Sequence, residues 1–173
     1  GRVFSLQSAQ ASNKPMLKFS PLGSSHRKEL TLLRYVRKLA CRGDASSVMN
    51  AIEKFAHDVQ WLKVAGGCKA RVLAELVVLS KPSLCVELGT YCCAYSAISM
   101  AERLKTWGGL VVSIEADAIN ACIALFIVMF AGLNDHVEIL AGRGHDRIDD
   151  LVKRFGTKSV DMLFLDHRGT IYH

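Results

Sequence analysis

Ser83-Leu84-Cys85-Val86-Glu87-Leu88-Gly89-Thr90-Tyr91 is the stretch that decides the fold. Residues 84–88 form a short apolar run that ends in an acid, a Gly and a turn, which is the pattern of a buried strand. The same texture recurs downstream. Ala97, Ile98, Ala101 and Leu104 lie at helical spacing, and a strand over 110–114 ends in Glu115. Asp117 opens a helix over 118–131 that Gly132 closes, and a strand over 137–140 leads into Gly142-Arg143-Gly144. A helix over 146–155 precedes a strand over 161–165 that ends in Asp166-His167. Strands alternating with helices of about ten to fifteen residues need right-handed crossovers and give a parallel sheet. The predicted class is therefore α/β, a Rossmann-like doubly wound, mostly parallel sheet. Ligands of such sheets sit at the carboxyl ends of the strands, near the switch point. Here those ends hold residues 87–91, Glu115, residues 142–145 and Asp166-His167.

Working outward, helices precede the sheet. Leu30, Leu33, Val36 and Leu39 predict one over 29–39, with Arg34, Arg37 and Lys38 near its carboxyl end, where cations suit the helix dipole. Asp44 caps a second, whose apolar face reads Val48, Ile52, Phe55, Val59 and Leu62 until Gly66-Gly67 breaks it. A third spans 69–80 and stops at Lys81-Pro82. Residues 1–25 have no hydrophobic period and read as disordered. The chain divides into a basic arm, 1–27, and one folded domain, 28–173.

Composition narrows the function. Half of the 173 residues are apolar and 22% are charged, as in one globular domain. The net charge of +6 is uneven: residues 1–42 carry nine Lys/Arg and one acid, while residues 43–173 carry thirteen Lys/Arg and fifteen acids. A nucleic-acid protein more often carries a basic stripe on its folded surface, so the near-neutral body argues against that class. The longest apolar run, 121–133, has thirteen residues against the roughly 20 of a membrane span. It reads as a buried core helix, and no membrane span is expected. Cys41, Cys68, Cys85, Cys92, Cys93 and Cys122 show no C-x-x-C spacing. They read as thiols of a reduced, cytoplasmic chain, with Cys85 and Cys122 acting as small core hydrophobes. The first 28 residues are basic, acid-free and Ser-containing, so organelle targeting stays open. The oligomeric state stays open too.

The strand ends then select a ligand. A dinucleotide site needs G-x-G-x-x-G, yet only Gly89 is present and Tyr91 stands where a second Gly belongs. One Gly preceded by an acid suits a ligand without pyrophosphate but with an ammonium group. Glu115, ending the second strand, can accept hydrogen bonds from two ribose hydroxyls. An adenosine joined to an amino acid is S-adenosylmethionine. Against this, Glu115 and Asp166 would merely cap the helices that follow them.

Residues 87–92 (ELGTYC), Tyr95-Ser96-Ala97, Ile114-Glu115, Phe130-Ala131-Gly132 and residues 161–167 (DMLFLDH) resemble the catechol O-methyltransferase family, as do Ala51-Ile52 and Trp61 upstream. The resemblance runs from about Arg27 to the end. It implies a class I methyltransferase fold and Mg²⁺-assisted methyl transfer from S-adenosylmethionine to a small-molecule catechol-like diol. By the resemblance, Glu87, Gly89, Tyr91 and Ser96 lie along the methionine portion and Glu115 holds the ribose. Trp61 walls the diol pocket, and Asp166 is the first Mg²⁺ ligand beside the cofactor. His167 matches the histidine next to it, near the adenine, and is the candidate catalytic residue. A divalent cation chelated by both diol oxygens would lower the acceptor's pKa.

Four departures qualify this. The family's general-base lysine, three residues after the metal Asp, is Gly169, and its tryptophan is Arg168. Lys63, close to the transferred methyl, is the candidate substitute. The glycine between cysteine and tyrosine is replaced by Cys93-Ala94, an insertion that threatens Tyr95 and Ser96, because Cys93 cannot adopt glycine's backbone angles freely. The Ser-Gln pair after the third strand is Gly144-His145, with His145 at the adenine edge. Finally, the chain opens on Gly1 and ends at His173, directly after the fourth strand, so the family's later strands and metal-completing Asp-Asn pair are missing. It reads as a truncated copy that binds Mg²⁺ poorly and turns over little catechol, with an unpaired fourth-strand edge. His57-Asp58, Asp135-His136 and His145-Asp146 fit no zinc spacing and read as helix-end polar pairs. Two functions follow: the methyltransferase, or a non-catalytic cofactor-binding or interaction protein built on the same fold.

Overall fold

The computed structural model describes residues 26–167. Residues 1–25 of the arm, Arg168, Gly169 and residues 170–173 lie outside the described residues. Arg27 already belongs to the first helix, two residues earlier than its apolar period suggested. Three helices come first: α1 (Arg27–Leu39), α2 (Ala45–Asp58) and α3 (Cys68–Ser80). The alternating part follows as β1 (Leu84–Leu88), α4 (Tyr95–Leu104), β2 (Leu110–Glu115), α5 (Ala118–Phe130), β3 (Val137–Ala141), α6 (Gly144–Phe155) and β4 (Met162–Leu165), with a short 3-10 turn, Lys105–Trp107, after α4.

The strands form one parallel sheet in the order β3-β2-β1-β4. The chain winds outward from β1 through β2 to β3, then crosses back to place β4 on β1's other side. The switch point therefore lies between the carboxyl ends of β1 and β4. Asp161 starts β4 in register: its carboxylate accepts the N–H groups of Ser83 and Leu84 at 2.8 and 3.0 Å.

Strand alternation sorts side chains between two layers. Cys85, Val111, Met162 and Phe164 join a large core beneath the first five helices, centred on Leu32, Ile52, Phe55, Ile98, Met100, Leu104 and Ile127. Leu84, Val86, Val112 and Ile114 face α6 and meet Leu151. β4 is a sheet edge among the described residues, and its Leu163 stays exposed on the thinner layer.

Two helices differ from the sequence reading. α2 ends at Asp58, because the N–H groups of Val59 and Gln60 both bond the Phe55 carbonyl and turn the chain out of the helix. Val59 is exposed, while Leu62 still reaches the core from the irregular segment that follows. α6 starts at Gly144 rather than Asp146, with its first turn fastened to β3 by a hydrogen bond from Arg147 Nε to the Ala141 carbonyl at 2.9 Å.

The cysteines also divide unexpectedly. Cys85, Cys92 and Cys93 are buried, but Cys122 is exposed, and all six are free thiols. The 121–133 run is not a buried helix throughout: Leu125, Phe126 and Met129 of α5 face outward. Burial, reinforced by Asp161 and Glu87, pushes the Cys85 thiol up to about 12, which leaves it inert.

Phe55 is fully buried and meets Tyr35 edge-on, with ring centroids 5.3 Å apart. Phe55→Ala should therefore cost about 3–5 kcal/mol in a denaturant titration.

Candidate functional site

Gly89 shapes the switch point. Its φ is +106°, and a Cβ there would sit 2.7 Å from the Asp166 carbonyl oxygen and 2.8 Å from the His167 nitrogen. The glycine thus lets β1 and β4 converge just beyond their last pair, where Asp166 N–H bonds the Leu88 carbonyl at 2.9 Å. Close approach of backbone to backbone is its structural reason, in addition to any role toward a ligand.

Glu87 faces the large core and is fully buried. Opposite it in register is Ser113 of β2, and α4 brings Ser96 from above. Both hydroxyls donate to its carboxylate, and Ser113 is bonded in turn to Thr90. Burial pushes the Glu87 carboxyl up to about 7. The serine hydroxyls oppose that shift, while Asp166 and Glu115 add to it. Glu87 and Ser96, both of which the family resemblance places along the methionine portion, are hydrogen-bonded to one another.

Glu115, at the end of β2, is half-buried. One carboxylate oxygen accepts Tyr91 N–H at 2.7 Å and the other accepts Asp117 N–H at 2.9 Å. Each oxygen has two acceptor positions, so one on each remains for hydroxyl donors. That donor-seeking pair is what a ribose needs. Asp117 caps α5 through the N–H groups of Ile119 and Asn120, both at 2.9 Å. Burial pushes its carboxyl up, but those donors and the His26 ring outweigh this and hold it below its ordinary value.

The loop between β1 and α4 departs from the sequence reading in where it bends. Positive φ falls on Tyr91 (+55°) and Ala94 (+47°), not on Cys93. Tyr91 is held there by three partners. Glu115 takes its N–H, its hydroxyl donates to Glu29 at 3.0 Å, and Lys28 Nζ sits 5.7 Å from its ring centroid. Burial first, then the Cys92 thiol and the Glu29 bond, push the Tyr91 hydroxyl up. Ala94 caps α4, and the extra residue is absorbed without parting Ser96 from Glu87 or Tyr95 from its partner Glu53. Glu29, which the sequence reading passed over, is buried 62 positions away on α1. Its second oxygen has no hydrogen-bond partner among the described residues. An acid inside an apolar helix period was the available signal.

The segment after α2 crosses the same strand ends. Lys63 Nζ lies 3.4 Å from the Asp166 carbonyl oxygen. Lys28 reaches the Trp61 carbonyl at 3.5 Å, so Trp61 stands near Tyr91, and it is 71% exposed. Gly144 lies over Leu88, 3.5 Å from a position its Cβ would take, and so borders the β1 end. His145 is on the first turn of α6, exposed and 3.3 Å from Asp146. His57 meets Asp58 at 2.6 Å at the end of α2. His136 instead bonds the Gly109 carbonyl at 3.0 Å.

A magnesium site needs several oxygen ligands. No group of three His, Cys, Asp or Glu side chains that could hold a metal occurs among the described residues. Asp166 contributes one carboxylate, so the described residues do not fit the ion.

A carboxylate closes β2 and a single-glycine turn follows β1, in a doubly wound, parallel α/β sheet. The O-methyltransferase family profile matches residues 41–173, and the chain belongs to that family. It is 38% identical over 140 residues to catechol O-methyltransferase of Mus musculus, covering 81% of this chain and 52% of that protein. It is 30% identical over 150 residues to transmembrane O-methyltransferase of Homo sapiens, covering 86% and 51%. Among solved structures it resembles TomG, an O-methyltransferase from Streptomyces achromogenes in complex with SAM. The TM-score there is 0.58 and the identity 28%, over 83% of this chain and 62% of that one. It also resembles the O-methyltransferase from Bacillus cereus in complex with SAH. There the TM-score is 0.54 and the identity 29%, over 79% and 54%. The chain spans about half the length of the curated relatives it matches.

The raised Glu87 carboxyl makes stability depend on pH. An ordinary carboxyl near 4.5 ionises in the unfolded chain while the folded one keeps its proton to about 7. Unfolding is then favoured progressively as pH rises from about 4.5 to 7, by up to about 3 kcal/mol. Urea unfolding at both ends of that window should show the wild type losing stability relative to Glu87→Gln as pH rises. A constant difference would mean that Glu87 titrates normally.

Proposed function

We propose that this chain carries the S-adenosylmethionine half of an O-methyltransferase that methylates a hydroxyl of a catechol-like diol. The observation that carries the reading is Glu115, fixed at the end of β2 by two backbone N–H groups with acceptor positions left over. Its placement beside the switch point suits the two hydroxyls of a ribose. In this reading Gly89, Tyr91 and the Glu87–Ser96 pair line the methionine side. Gly144, His145 and His167 border the adenine side, and Asp166 joins the cofactor to the acceptor. Trp61 and Lys63 belong to the acceptor.

When bound, S-adenosylmethionine supplies an electrophilic methyl on a sulfonium. The chain's residues position and polarise. Glu87 would favour a cationic amine nearby, since an opposite charge favours the ionised carboxylate and its proton would pass to solvent. Lys63 presents its ammonium where the acceptor hydroxyl would lie and stabilises the oxyanion as its proton leaves to solvent. The acceptor oxygen held there would form the O–CH₃ bond as the C–S bond breaks, with that bond's electron pair staying on sulfur. In-line geometry supplies much of the rate.

The single carboxylate at Asp166 favours a second reading, cofactor binding without turnover. Glu115→Ala should abolish S-adenosylmethionine binding in calorimetry, by at least about 100-fold, while the circular dichroism spectrum is kept. Unchanged affinity would end the cofactor reading. Lys63→Met should lower methyl transfer to a diol about 100-fold with cofactor affinity unaltered. Tight binding with no transfer by the wild type would select the second reading.

A further inference from the structure

α5 contains no charged side chain. Its exposed positions are Ala118, Cys122, Leu125, Phe126 and Met129, which fall on one continuous helical stripe. Leu125, Phe126 and Met129 are 43, 59 and 50% exposed. A surface helix ordinarily carries charge on that face, and a contiguous apolar patch marks a contact surface.

α1 lies alongside α5 from end to end. His26 Nε2 meets the Asp117 carboxylate at the start of α5, and Gly43 N–H bonds the Phe130 carbonyl at its end. His26, Leu30, Leu33 and Arg37 share one stripe of α1, so Leu30 and Arg37 lie on the flank toward α5. Arg34 is next outward, and Lys38 and Arg42 follow. Arg34, Arg37, Lys38 and Arg42 are exposed, and none forms an ion pair among the described residues. The one acid in residues 27–42, Glu29, is buried against Tyr91. Of the acids bordering this face, Asp44 caps α2, Asp117 is engaged by His26, and Asp135 lies in the turn beyond α5.

We propose that the α1–α5 face docks on an anionic lipid surface, with Leu125, Phe126 and Met129 entering the acyl boundary and Arg34 and Arg37 at the headgroups. The thirteen residues of α5 extend about 20 Å, short of the roughly 30 Å hydrocarbon core, so the helix lies in the interface plane. No helix among the described residues is long and apolar enough to cross a membrane. Charge selects lipid over a second copy of the chain. A two-fold pair would bring both basic α1 faces into one interface, whereas acidic headgroups neutralise them. This inference does not depend on methyl transfer.

The test is co-sedimentation of the full chain with phosphatidylcholine vesicles, with or without about 30% phosphatidylserine, a surface of strongly negative potential. Binding to the anionic vesicles should exceed binding to neutral ones at least tenfold and fall in about 1 M salt. Phe126→Gln/Met129→Gln should weaken it about tenfold or more, and Arg34→Gln/Arg37→Gln about 30-fold. Thermal unfolding of both variants should match the wild type, since all four side chains are exposed. Equal binding to both vesicles, or binding that neither variant changes, would overturn the proposal. So would a dimer in light scattering that the Phe126→Gln/Met129→Gln variant dissolves, because the stripe would then belong to a second copy.

Discussion

A carboxylate with no access to water sits where two strands and a helix meet. Glu87 bonds Ser113 across the β1–β2 pair and Ser96 on the first turn of α4. A buried acid costs far less when its oxygens are satisfied, and leaving either serine out would expose an unpaired polar group to an apolar core. The two hydroxyls thereby fix how β1, β2 and α4 meet. Once they are set, the loop from Gly89 to Ala94 has to span a defined gap, and Tyr91 and Ala94 take the left-handed conformations that close it.

The strand ends act as one electrostatic unit for the same reason. Glu87, Glu115 and Asp166 each end or nearly end a strand, and the charges of Asp166 and Glu115 add to the cost of ionising the buried Glu87. Retention of a proton offsets that cost at Glu87, while the Glu115 carboxylate accepts two backbone N–H groups. The cations nearby, Lys28 over Tyr91 and Lys63 beside the Asp166 carbonyl, come from outside the sheet and close the acidic rim.

Much of this was legible in the chain. The alternation of apolar runs with helical periods gave every strand to within a residue or two, and strand-end acids marked the switch point. Pairing of Ser113 with Glu87 was not legible, because register is a tertiary property that no local pattern prints. Nor was the start of α6, which Arg147 sets by reaching back to β3. α5 shows a different limit. An apolar helix inside a core and one lying on its surface have the same composition, and only the neighbouring helices decide which face is covered. Tyr91 illustrates a third: a bulky residue with positive φ is improbable locally and is held there by Glu115 and by Glu29, far away in the chain.

The crossing from β3 back to β4 has a kinetic side. β1, β2 and β3 pair in the order they are made, each with its predecessor. β4 must find β1 across 77 positions, measured from Leu84 to Asp161. Closing so long a loop is entropically slow, and parallel pairing is among the slowest of contacts to form. On a ribosome the three-strand half and its five helices would be complete first, with one side of β1 open. The crevice between β1 and β4, where Gly89 meets Asp166, then comes into being only after β1, β2 and β3 have paired.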